Sequence, residues 1–351
     1  MRVETIGHRS VRIPRLMRLV DSPAEAADQL AGLGRDSSFL IVHSGAASPT
    51  GYGTSLIEAA DRAGLRAGEA VARANTDAWA QAVGAAIADR DPDYVVGVGG
   101  GRVVDVAKVA AAKAGIDFVS VPTQASSDGI CSPVAVMVDA AEHPRSVAAR
   151  IPVAIIVDMT VVSSAPEITW RSGLGDLVSN LSAVKDWRLA HKLTGEPYDD
   201  FACLVSEAAA LSVIDAGVSL ADPLFREKLI RGLILSGIAM EMAGSSRPAS
   251  GGEHLISHAL DTILPRPRPH GLQVAFGTIA ADLLRGDDVT RLVGYYRSVG
   301  LPVKPEDLGI DIETLGLAIR RGPEQRPGRT SVLDGVGERQ LAELAAAYAG
   351  L

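Results

Sequence analysis

The sequence predicts an α/β domain with a parallel sheet over residues 1–162, followed by an all-α domain over residues 163–351. Two patterns lead to this prediction. In the first part, short runs rich in β-branched residues alternate with stretches of helical spacing, which is typical of parallel strands covered by helices. In the second part, apolar residues keep a helical spacing and strand-like runs disappear. A chain of 351 residues is long enough for two domains of ordinary size.

The first domain is predicted from five candidate strands and the helical patterns between them. The candidate strands are SFLIVH (38–43), YVVGVG (94–99), DFVSVP (117–122), VAVMVD (134–139) and VAIIVD (153–158). The helical patterns between them include DAWAQAVGAAIADR (77–90) and RVVDVAKVAAAKAG (102–115). This alternation favours a single parallel sheet with helices packed on it.

The second domain is predicted to begin at SSAPEITW (163–170), where a candidate N-cap residue precedes a proline in the first helical turn. The helical patterns after it include DLVSNLSAVKDWRLAHKL (176–193), FACLVSEAAALSVIDAGV (201–218), REKLIRGLILSGIAMEMAG (226–244) and GERQLAELAAAYAGL (337–351). A cleft between the two domains is the expected place for a ligand.

Composition limits the possible partners and compartments. The net charge is −8, whereas nucleic-acid binding needs a basic surface, so no nucleic acid is expected as a partner. No apolar run reaches the roughly 18 residues that span a bilayer, and the N-terminus lacks the apolar core of a secretory signal. With only 2 cysteines, Cys131 and Cys203, a cytoplasmic location is expected. Since only six of the 34 basic residues are lysines, an anionic substrate is expected to meet an arginine.

A glycine-rich loop follows the candidate strand at 94–99. Gly97, Gly99, Gly100 and Gly101 lead directly into a predicted helix, where backbone N–H groups and the helix N-terminus can hold a phosphate. The loop is not the common G-x-G-x-x-G fingerprint, because its third glycine position falls on Arg102. A tight strand-to-helix turn without a ligand is the alternative interpretation.

A second polar loop, VPTQASSDGICSP (121–133), follows the next candidate strand. Its hydrogen-bonding side chains are Thr123, Ser126, Ser127, Asp128 and Ser132. Parallel sheets bind ligands at the carboxyl ends of their strands, so this loop is expected to lie beside the glycine loop. Considered alone, it would be a solvated loop.

Three of the seven histidines lie within residues 253–270. His254 and His258 are four residues apart on one face of a predicted helix, and His270 follows a proline-rich turn. Imidazole suits zinc and iron, and a catalytic site typically uses three protein ligands. The best candidate for a third ligand, a carboxylate, is Asp176 in SGLGDLVSN. The alternative is a pair of histidines on a helix surface and one in a loop.

Six stretches then resemble one enzyme family. They are GVGGGRVVDVAK, SVPTQASSDGICSP, GLGDLVSNLSAVKDWRLA, GSSRPASGGEHLISHALD, HGLQVAFGT and RPGRTSVL, in this order. They are similar to sn-glycerol-1-phosphate dehydrogenases, within the superfamily of iron-type alcohol dehydrogenases, glycerol dehydrogenase and dehydroquinate synthase. The resemblance extends from about residue 38 to the C-terminus. It implies a Rossmann-like α/β domain followed by an all-α domain, the dehydroquinate synthase-like fold.

The resemblance also implies roles for individual residues. Asp176, His254 and His270 would bind one divalent metal ion, usually zinc, with Fe²⁺ or Ni²⁺ as the other options. His258 would contact the substrate beside the metal, and Asp128 would hold a substrate hydroxyl. A nicotinamide cofactor, NAD or NADP, would be held by Gly99, Gly100, Gly101, Arg102, Val103, Asp105, Thr123, Ser126 and Ser132. The implied reaction is reversible reduction of dihydroxyacetone phosphate to sn-glycerol 1-phosphate, by a homo-oligomer.

Two positions depart from the family pattern and keep other reactions open. Ser127 stands where the family usually has histidine, and Leu272 stands where it usually has glutamate, both beside the expected substrate pocket. The alternatives are a dehydrogenase for another polyol or polyol phosphate, a dehydroquinate synthase-like lyase that uses NAD transiently, and a relative without activity. The candidates for binding a substrate phosphate are Lys185, Arg247, Arg266 and Arg268.

Overall fold

The computed structural model describes residues 11–45, 48–139, 144–214 and 219–351. In the first half of the chain, strands and helices alternate. The elements are β1 (Leu16–Val20), α1 (Pro23–Ala31), β2 (Ser38–His43), α2 (Tyr52–Arg62), β3 (Arg66–Val71), α3 (Asp77–Arg90), β4 (Tyr94–Gly99), α4 (Gly101–Ala114), β5 (Asp117–Pro122), β6 (Val134–Val138), β7 (Pro144–Ala148), β8 (Ala154–Asp158) and α5 (Met159–Ser163).

Six of these strands form one sheet in the order β1-β8-β5-β4-β2-β3. Every pairing in it is parallel, as the alternation of strands and helices predicts. Two buried clusters cover opposite faces of the sheet, one including Leu30, Ile41 and Leu56, the other including Leu40 and Phe118. Because β4 and β5 are neighbours, the glycine loop and the second polar loop leave the sheet side by side.

The prediction that VAVMVD belongs to the parallel sheet was wrong. Residues 134–138 form β6, which pairs antiparallel with β7 in a separate hairpin. The physical reason is that the run is buried on one face only: Ala135 and Met137 are at most 1% exposed, whereas Val136 is 39% exposed. A strand buried on one face suits an antiparallel hairpin, and an apolar run alone does not reveal this alternation.

The sequence prediction missed β1, β3 and β7. The first two lie at the opposite edges of the main sheet, and β3 (RAGEAV) contains no residue in the buried class. Edge strands need no continuous apolar run, since one of their sides faces solvent or a loop. The prediction therefore recovered the strands that are buried on both faces.

The second half of the described chain is helical. Its helices are α6 (Glu167–Val178), α7 (Asn180–Thr194), α8 (Asp200–Ile214), α9 (Pro223–Ala243), α10 (Gly252–Ile263), α11 (His270–Arg285), α12 (Thr290–Val299), α13 (Ile312–Gln325) and α14 (Glu338–Gly350). No helix within the described ranges is long and apolar enough to cross a membrane. The fold class is therefore confirmed: a parallel α/β part and then a helical part.

Local chemistry explains several helix ends. Ser22, Thr76 and Asp222 accept hydrogen bonds from backbone N–H groups in the first turns of α1, α3 and α9. The predicted single helix over 176–193 is broken at Ser179, whose hydroxyl donates to the Asp176 carbonyl. Such local bonding by serine competes with a regular helix, so α6 ends just after Asp176. Pro166 stands at the N-cap of α6 and not in its first turn as predicted.

Candidate metal and substrate site

Asp176, His254 and His270 come together in the helical half of the protein. Asp176 lies near the end of α6, His254 in the first turn of α10, and His270 at the start of α11. One carboxylate oxygen and one ring nitrogen from each histidine lie within 4.8 Å of one another. Asp176 and His254 are buried and His270 is half-buried. Three elements thus present one oxygen and two nitrogen donors at a single point.

Glycines allow α6 and α11 to approach closely enough for this convergence. A Cβ atom at Gly175 would overlap the Gly271 carbonyl oxygen, and one at Gly271 would overlap the Ser172 carbonyl oxygen. Gly175 directly precedes Asp176, and Gly271 directly follows His270. The backbones of the two helices therefore touch beside the two donor side chains, which sets the spacing of the donors.

The geometry of the three side chains fits a divalent cation. The Nε2 atoms of His254 and His270 lie 3.6 and 3.5 Å from the same Asp176 oxygen, Oδ1, which is too long for good hydrogen bonds. The other ring nitrogens have separate partners, as is usual for metal-binding histidines. His254 Nδ1 donates to Glu253 Oε1 at 3.0 Å, and His270 Nδ1 is 3.3 Å from Ser257 Oγ. One carboxylate oxygen and two imidazole nitrogens match the donors that zinc and iron accept.

The electrostatics of the cluster also favour a bound cation. Burial opposes protonation of His254, but the adjacent carboxylates of Asp176 and Glu253 outweigh it and raise its pKa to about 9. Burial likewise opposes ionisation of Asp176, yet its contact with His254 and the charge of His270 leave its pKa below the usual value. Two ionised carboxylates around buried imidazoles attract a positive charge, and a metal ion would compete with the proton for it.

Glu253 is the residue that orients His254. It is fully buried, and its Oε1 accepts hydrogen bonds from His254 Nδ1 and from the Gly251 backbone N–H at 2.5 Å. Glu253→Gln keeps the size of the side chain but removes its charge, so His254 Nε2 becomes a weaker donor to metal. We expect the dissociation constant for zinc to rise about 10- to 100-fold, measured by competition with a chelator.

The matched control for this prediction is Glu313→Gln, which removes an exposed carboxylate from the first turn of α13. It should leave zinc affinity unchanged, and both variants should retain the wild-type circular dichroism spectrum. Equal zinc affinity in Glu253→Gln and the wild type would contradict a role for Glu253 in orienting His254.

Asp128 and His258 lie beside the three donors. Asp128 follows β5 in the second loop, and its backbone N–H donates to Asp176 Oδ2 at 2.8 Å. Its own Oδ2 accepts a hydrogen bond from Ser236 Oγ at 2.9 Å. Burial and the charge of Asp176 raise the pKa of Asp128 to about 7. The His258 ring centroid is 6.3 Å from that of His254 and 6.0 Å from that of His270.

His258 is held in its neutral form. Burial lowers its pKa well below the usual value, and the charges of His270, His254, Arg326 and Arg329 lower it further. Its ring lines one pocket together with Asp128, Asp176, His254 and His270. The pocket therefore offers an uncharged imidazole and a carboxyl group next to the point where the three donors meet.

The two loops after β4 and β5 are joined by a hydrogen bond from the Thr123 backbone N–H to the Gly99 carbonyl, 3.0 Å. A Cβ at Gly100 would overlap the Gln124 side chain, whereas a Cβ at Gly101 would meet no atom within 4 Å. The space over the first turn of α4 is thus open, as a phosphate bound to the helix N-terminus would require.

Other predicted cofactor residues surround this turn. Arg102 is exposed and Val103 is buried beneath the loop. Asp105 faces the hairpin, where its carboxylate accepts from the Val136 backbone N–H at 3.0 Å. Ser132 Oγ donates to the Val134 carbonyl, and the Ser126 carbonyl accepts from Ser172 Oγ. Asp105 and the Ser132 hydroxyl therefore hold the hairpin next to the pocket.

Several residues singled out in the sequence lie away from the pocket. Leu272 lines a separate cavity of about 600 Å³ with Arg171 and Lys304, so its departure from the family pattern does not alter the surroundings of the three donors. Ser127, in contrast, lines the pocket. Of the remaining histidines, His43 pairs with Glu69, His191 contacts the Glu196 carbonyl, and His8 and His143 lie outside the described residues.

The candidates for binding a substrate phosphate are not among the described residues that line the pocket. Lys185 pairs with Asp282 and Asp287, and Arg247 pairs with Glu196. Arg268 donates to the Leu308 carbonyl, and Arg266 is exposed. The arginine that does line the pocket is Arg326.

Comparison with known proteins agrees with this architecture. Residues 23–166 match the family model described as iron-containing alcohol dehydrogenase. The glycerol-1-phosphate dehydrogenase [NAD(P)+] of Pyrococcus abyssi is 42% identical over 272 residues, which cover 77% of this chain and 78% of that protein. The enzyme of the same name from Cenarchaeum symbiosum is 39% identical over 81% of this chain and 80% of its own length.

Solved structures share the fold at lower identity. The crystal structure of a probable glycerol dehydrogenase from Sinorhizobium meliloti superposes with a TM-score of 0.74 at 23% identity, covering 98% of this chain and 99% of that one. Glycerol dehydrogenase from Schizosaccharomyces pombe gives a TM-score of 0.76 at 18% identity, covering 98% and 91%. At these identities, the likeness concerns the fold.

Proposed function

This chain belongs to the glycerol-1-phosphate dehydrogenase family of iron-type alcohol dehydrogenases, and we propose that it reversibly reduces dihydroxyacetone phosphate to sn-glycerol 1-phosphate with NADH or NADPH. The relatives that share 42% of their residues with it carry this activity in their names. The observation that carries the proposal is the convergence of Asp176, His254 and His270 in a pocket that also contains Asp128 and His258.

The proposed ligands of one divalent ion, most suitably zinc, are Asp176, His254 and His270. When bound, such an ion supplies Lewis acidity, which stabilises negative charge on the substrate oxygen as hydride is transferred. Asp128 is proposed to accept a hydrogen bond from a substrate hydroxyl through Oδ1, since its Oδ2 already accepts from Ser236. His258, neutral because of its burial, can relay a proton to the product oxygen: one ring nitrogen accepts a proton from water as the other donates its own, so the ring stays neutral overall.

The nicotinamide cofactor is proposed to lie across the carboxyl ends of β4 and β5. Its pyrophosphate would meet the backbone N–H groups at the start of α4, with Gly99, Gly100 and Gly101 allowing close approach. Arg102, Val103, Asp105, Thr123, Ser126 and Ser132 complete the proposed cofactor site. Both halves of the chain would then enclose the substrate between them and exclude water. We propose that the boundary between the two domains lies at residue 162.

The test of the proposed function is a steady-state assay with the purified, zinc-loaded protein. Dihydroxyacetone phosphate is mixed with NADH or NADPH, and loss of the reduced cofactor is followed by its absorbance. We expect net oxidation of at least one cofactor, with the reverse reaction on sn-glycerol 1-phosphate. No turnover with either cofactor, in protein that contains one zinc per chain, would overturn the proposal. A lyase that uses NAD transiently would show no net oxidation.

The open space above Gly101 gives a prediction for cofactor binding. Gly101→Val places a branched side chain over the first turn of α4, where its Cβ would meet no heavy atom within 4 Å beyond the adjoining backbone, so the fold should persist. We expect the KM for the cofactor to rise at least about tenfold, a loss of about 1.4 kcal/mol of binding. Gly84→Val on α3, which also has no atom within 4 Å of its Cβ, is the matched control and should leave this KM unchanged. If the KM for the cofactor were the same in the two variants, the pyrophosphate would not bind at the start of α4.

We also propose a homo-oligomer in the cytoplasm. The oligomer follows from the family resemblance, and the compartment from the low number of cysteines in the sequence. Size-exclusion chromatography with light scattering would measure the mass of the assembly, and a monomeric mass would contradict the first of these proposals.

A further inference from the structure

Arg326 connects the pocket to the β6–β7 hairpin. It follows the last residue of α13 and lines the same pocket as Asp128, His254 and His270. Its Nη1 donates to Ser246 Oγ at 2.8 Å, and its Nη2 donates to Ser146 Oγ on β7 at 2.9 Å. One guanidinium group thus spans the two halves of the protein at the edge of the pocket.

Arg329 lies in the turn after α13 and contacts the same serine as Arg326. Its Nη1 donates to Ser246 Oγ at 3.2 Å, and its Nη2 donates to the Ser250 carbonyl. Ser246 Oγ therefore accepts from two guanidinium groups. Since both oxygen lone pairs are used, the hydroxyl proton must point away from the two arginines. No acceptor among the described residues takes that proton or the hydroxyl proton of Ser146. Both hydroxyls can donate to a ligand.

The charge around these arginines is unbalanced. Arg247, a third arginine nearby, pairs with Glu196. Neither Arg326 nor Arg329 forms an ion pair with a carboxylate of the described residues. Burial and the charges of Arg326 and Arg247 lower the pKa of Arg329 to about 9, although the charges of Glu253 and Glu196 act in the opposite direction. Repulsion between neighbouring, partly buried cations is relieved by an anion. A ligand with two negative charges suits this position.

We propose that Arg326, Arg329, Ser246 and Ser146 bind the phosphate group of the substrate, an inference that rests on the proposed function. A phosphate ester carries about −1.5 to −2 charges at neutral pH and three strong acceptor oxygens. The planar guanidinium fork of arginine matches two of these oxygens, and the serine hydroxyls donate to the third. Arg326, Ser246 and Ser146 line the same pocket as Asp176, His254 and His270, as the short link between the carbonyl and the phosphate of a triose phosphate requires. Arg329 supports them through its hydrogen bond to Ser246 Oγ. The phosphate would also bring the hairpin and the helical half together over the substrate.

The test measures the specificity of Arg326→Ala for phosphorylated over unphosphorylated substrate. The ratio of kcat/KM for dihydroxyacetone phosphate to that for dihydroxyacetone should fall at least about 100-fold, equivalent to about 2.7 kcal/mol. Arg326→Lys keeps the positive charge but lacks the paired N–H donors of the guanidinium group. Its ratio should therefore lie between those of Arg326→Ala and the wild type. The matched control is Arg321→Ala, which removes one exposed arginine from α13, the helix that ends just before Arg326, and should leave the ratio unchanged.

A binding measurement separates this inference from the proposed function. Inorganic phosphate is titrated calorimetrically into the wild type, Arg326→Ala and Arg321→Ala, without substrate or cofactor. We expect binding to the wild type and to Arg321→Ala, and none to Arg326→Ala. If the wild type fails to reduce dihydroxyacetone phosphate but this pattern holds, the proposed function fails and the anion site stands. If dihydroxyacetone phosphate is reduced and Arg326→Ala retains the wild-type ratio, the inference fails and the function stands.

The cofactor offers the other phosphates that this cluster could meet. We expect the KM values for NADH and NADPH to change by the same small factor in Arg326→Ala. A selective rise in the KM for NADPH would assign the cluster to the 2′-phosphate of the cofactor. An equal and large rise for both cofactors would assign it to the pyrophosphate. Either result would overturn the inference.

Discussion

Replacing His270 by alanine should lower kcat/KM for dihydroxyacetone phosphate at least about 10⁴-fold and remove the stoichiometric metal ion. The remaining donors, Asp176 and His254, are fewer than the three that catalytic zinc sites typically use. Loss of the Lewis acid removes several kcal/mol of stabilisation of charge on the substrate oxygen, and a 10⁴-fold change corresponds to about 5.4 kcal/mol. Elemental analysis and steady-state kinetics of the same preparation measure both effects.

His270 is a suitable position for this test because it is half-buried, so alanine should leave the core intact. The matched control is His191→Ala on α7, which removes an exposed histidine that contacts the Glu196 carbonyl and the Tyr198 ring. This control should keep its metal and its activity. If His270→Ala bound one zinc per chain and turned over at the wild-type rate, the proposed ligand set would be incorrect.

Asp128→Asn should lower kcat/KM about 10³-fold while the metal ion stays bound. Asparagine keeps the size of the side chain but lacks the charge that the proposed hydrogen bond to a substrate hydroxyl needs, and charge-assisted bonds are the strong ones. A 10³-fold loss corresponds to about 4 kcal/mol. The backbone N–H of residue 128 remains to donate to Asp176 Oδ2, so the carboxylate of Asp176 keeps its orientation.

The control for Asp128→Asn is Ser236→Ala, which removes the hydrogen bond from Ser236 Oγ to Asp128 Oδ2 but keeps the carboxylate. We expect a smaller loss of kcat/KM in this control than in Asp128→Asn, since the carboxylate that contacts the substrate hydroxyl is kept and only one hydrogen bond to it is lost. Metal content is measured in both variants. Loss of metal from Asp128→Asn would show that Asp128 supports the metal site and not the substrate.

The sequence pattern predicted the strands that are buried on both faces and missed the strands at the edges of the sheet. β2, β4, β5 and β8 are buried on both faces, and their apolar runs were sufficient to find them. The edge strand β3 was missed because its pairing with β2, and not its own composition, stabilises it. The same limit explains the incorrect sheet for β6, because pairing direction depends on a partner that the run itself does not encode.

The candidate site was predictable in part from spacing. The interval of four residues placed His254 and His258 on one helix face, and their nearness to His270 in the sequence suggested a cluster. Asp176 was a candidate third ligand from the residues alone, whereas its assignment as a ligand and the role of Asp128 came from the family resemblance, because their proximity to the histidines comes from tertiary packing. Glu253 and Arg326 were missed for the same reason: a buried carboxylate and an arginine have no periodic signal, and only their partners in space distinguish them.

The close passage of α6 against α11 makes the metal site depend on positions that carry no reactive group. Gly175 and Gly271 each face a carbonyl oxygen of the opposite helix at a distance that leaves no room for a methyl group. A random search for inactive variants should therefore recover alanine at these two positions, alongside changes of the donor side chains themselves. Such variants would keep every chemical group of the site and lose the ion, because the helices that carry the donors would be wedged apart.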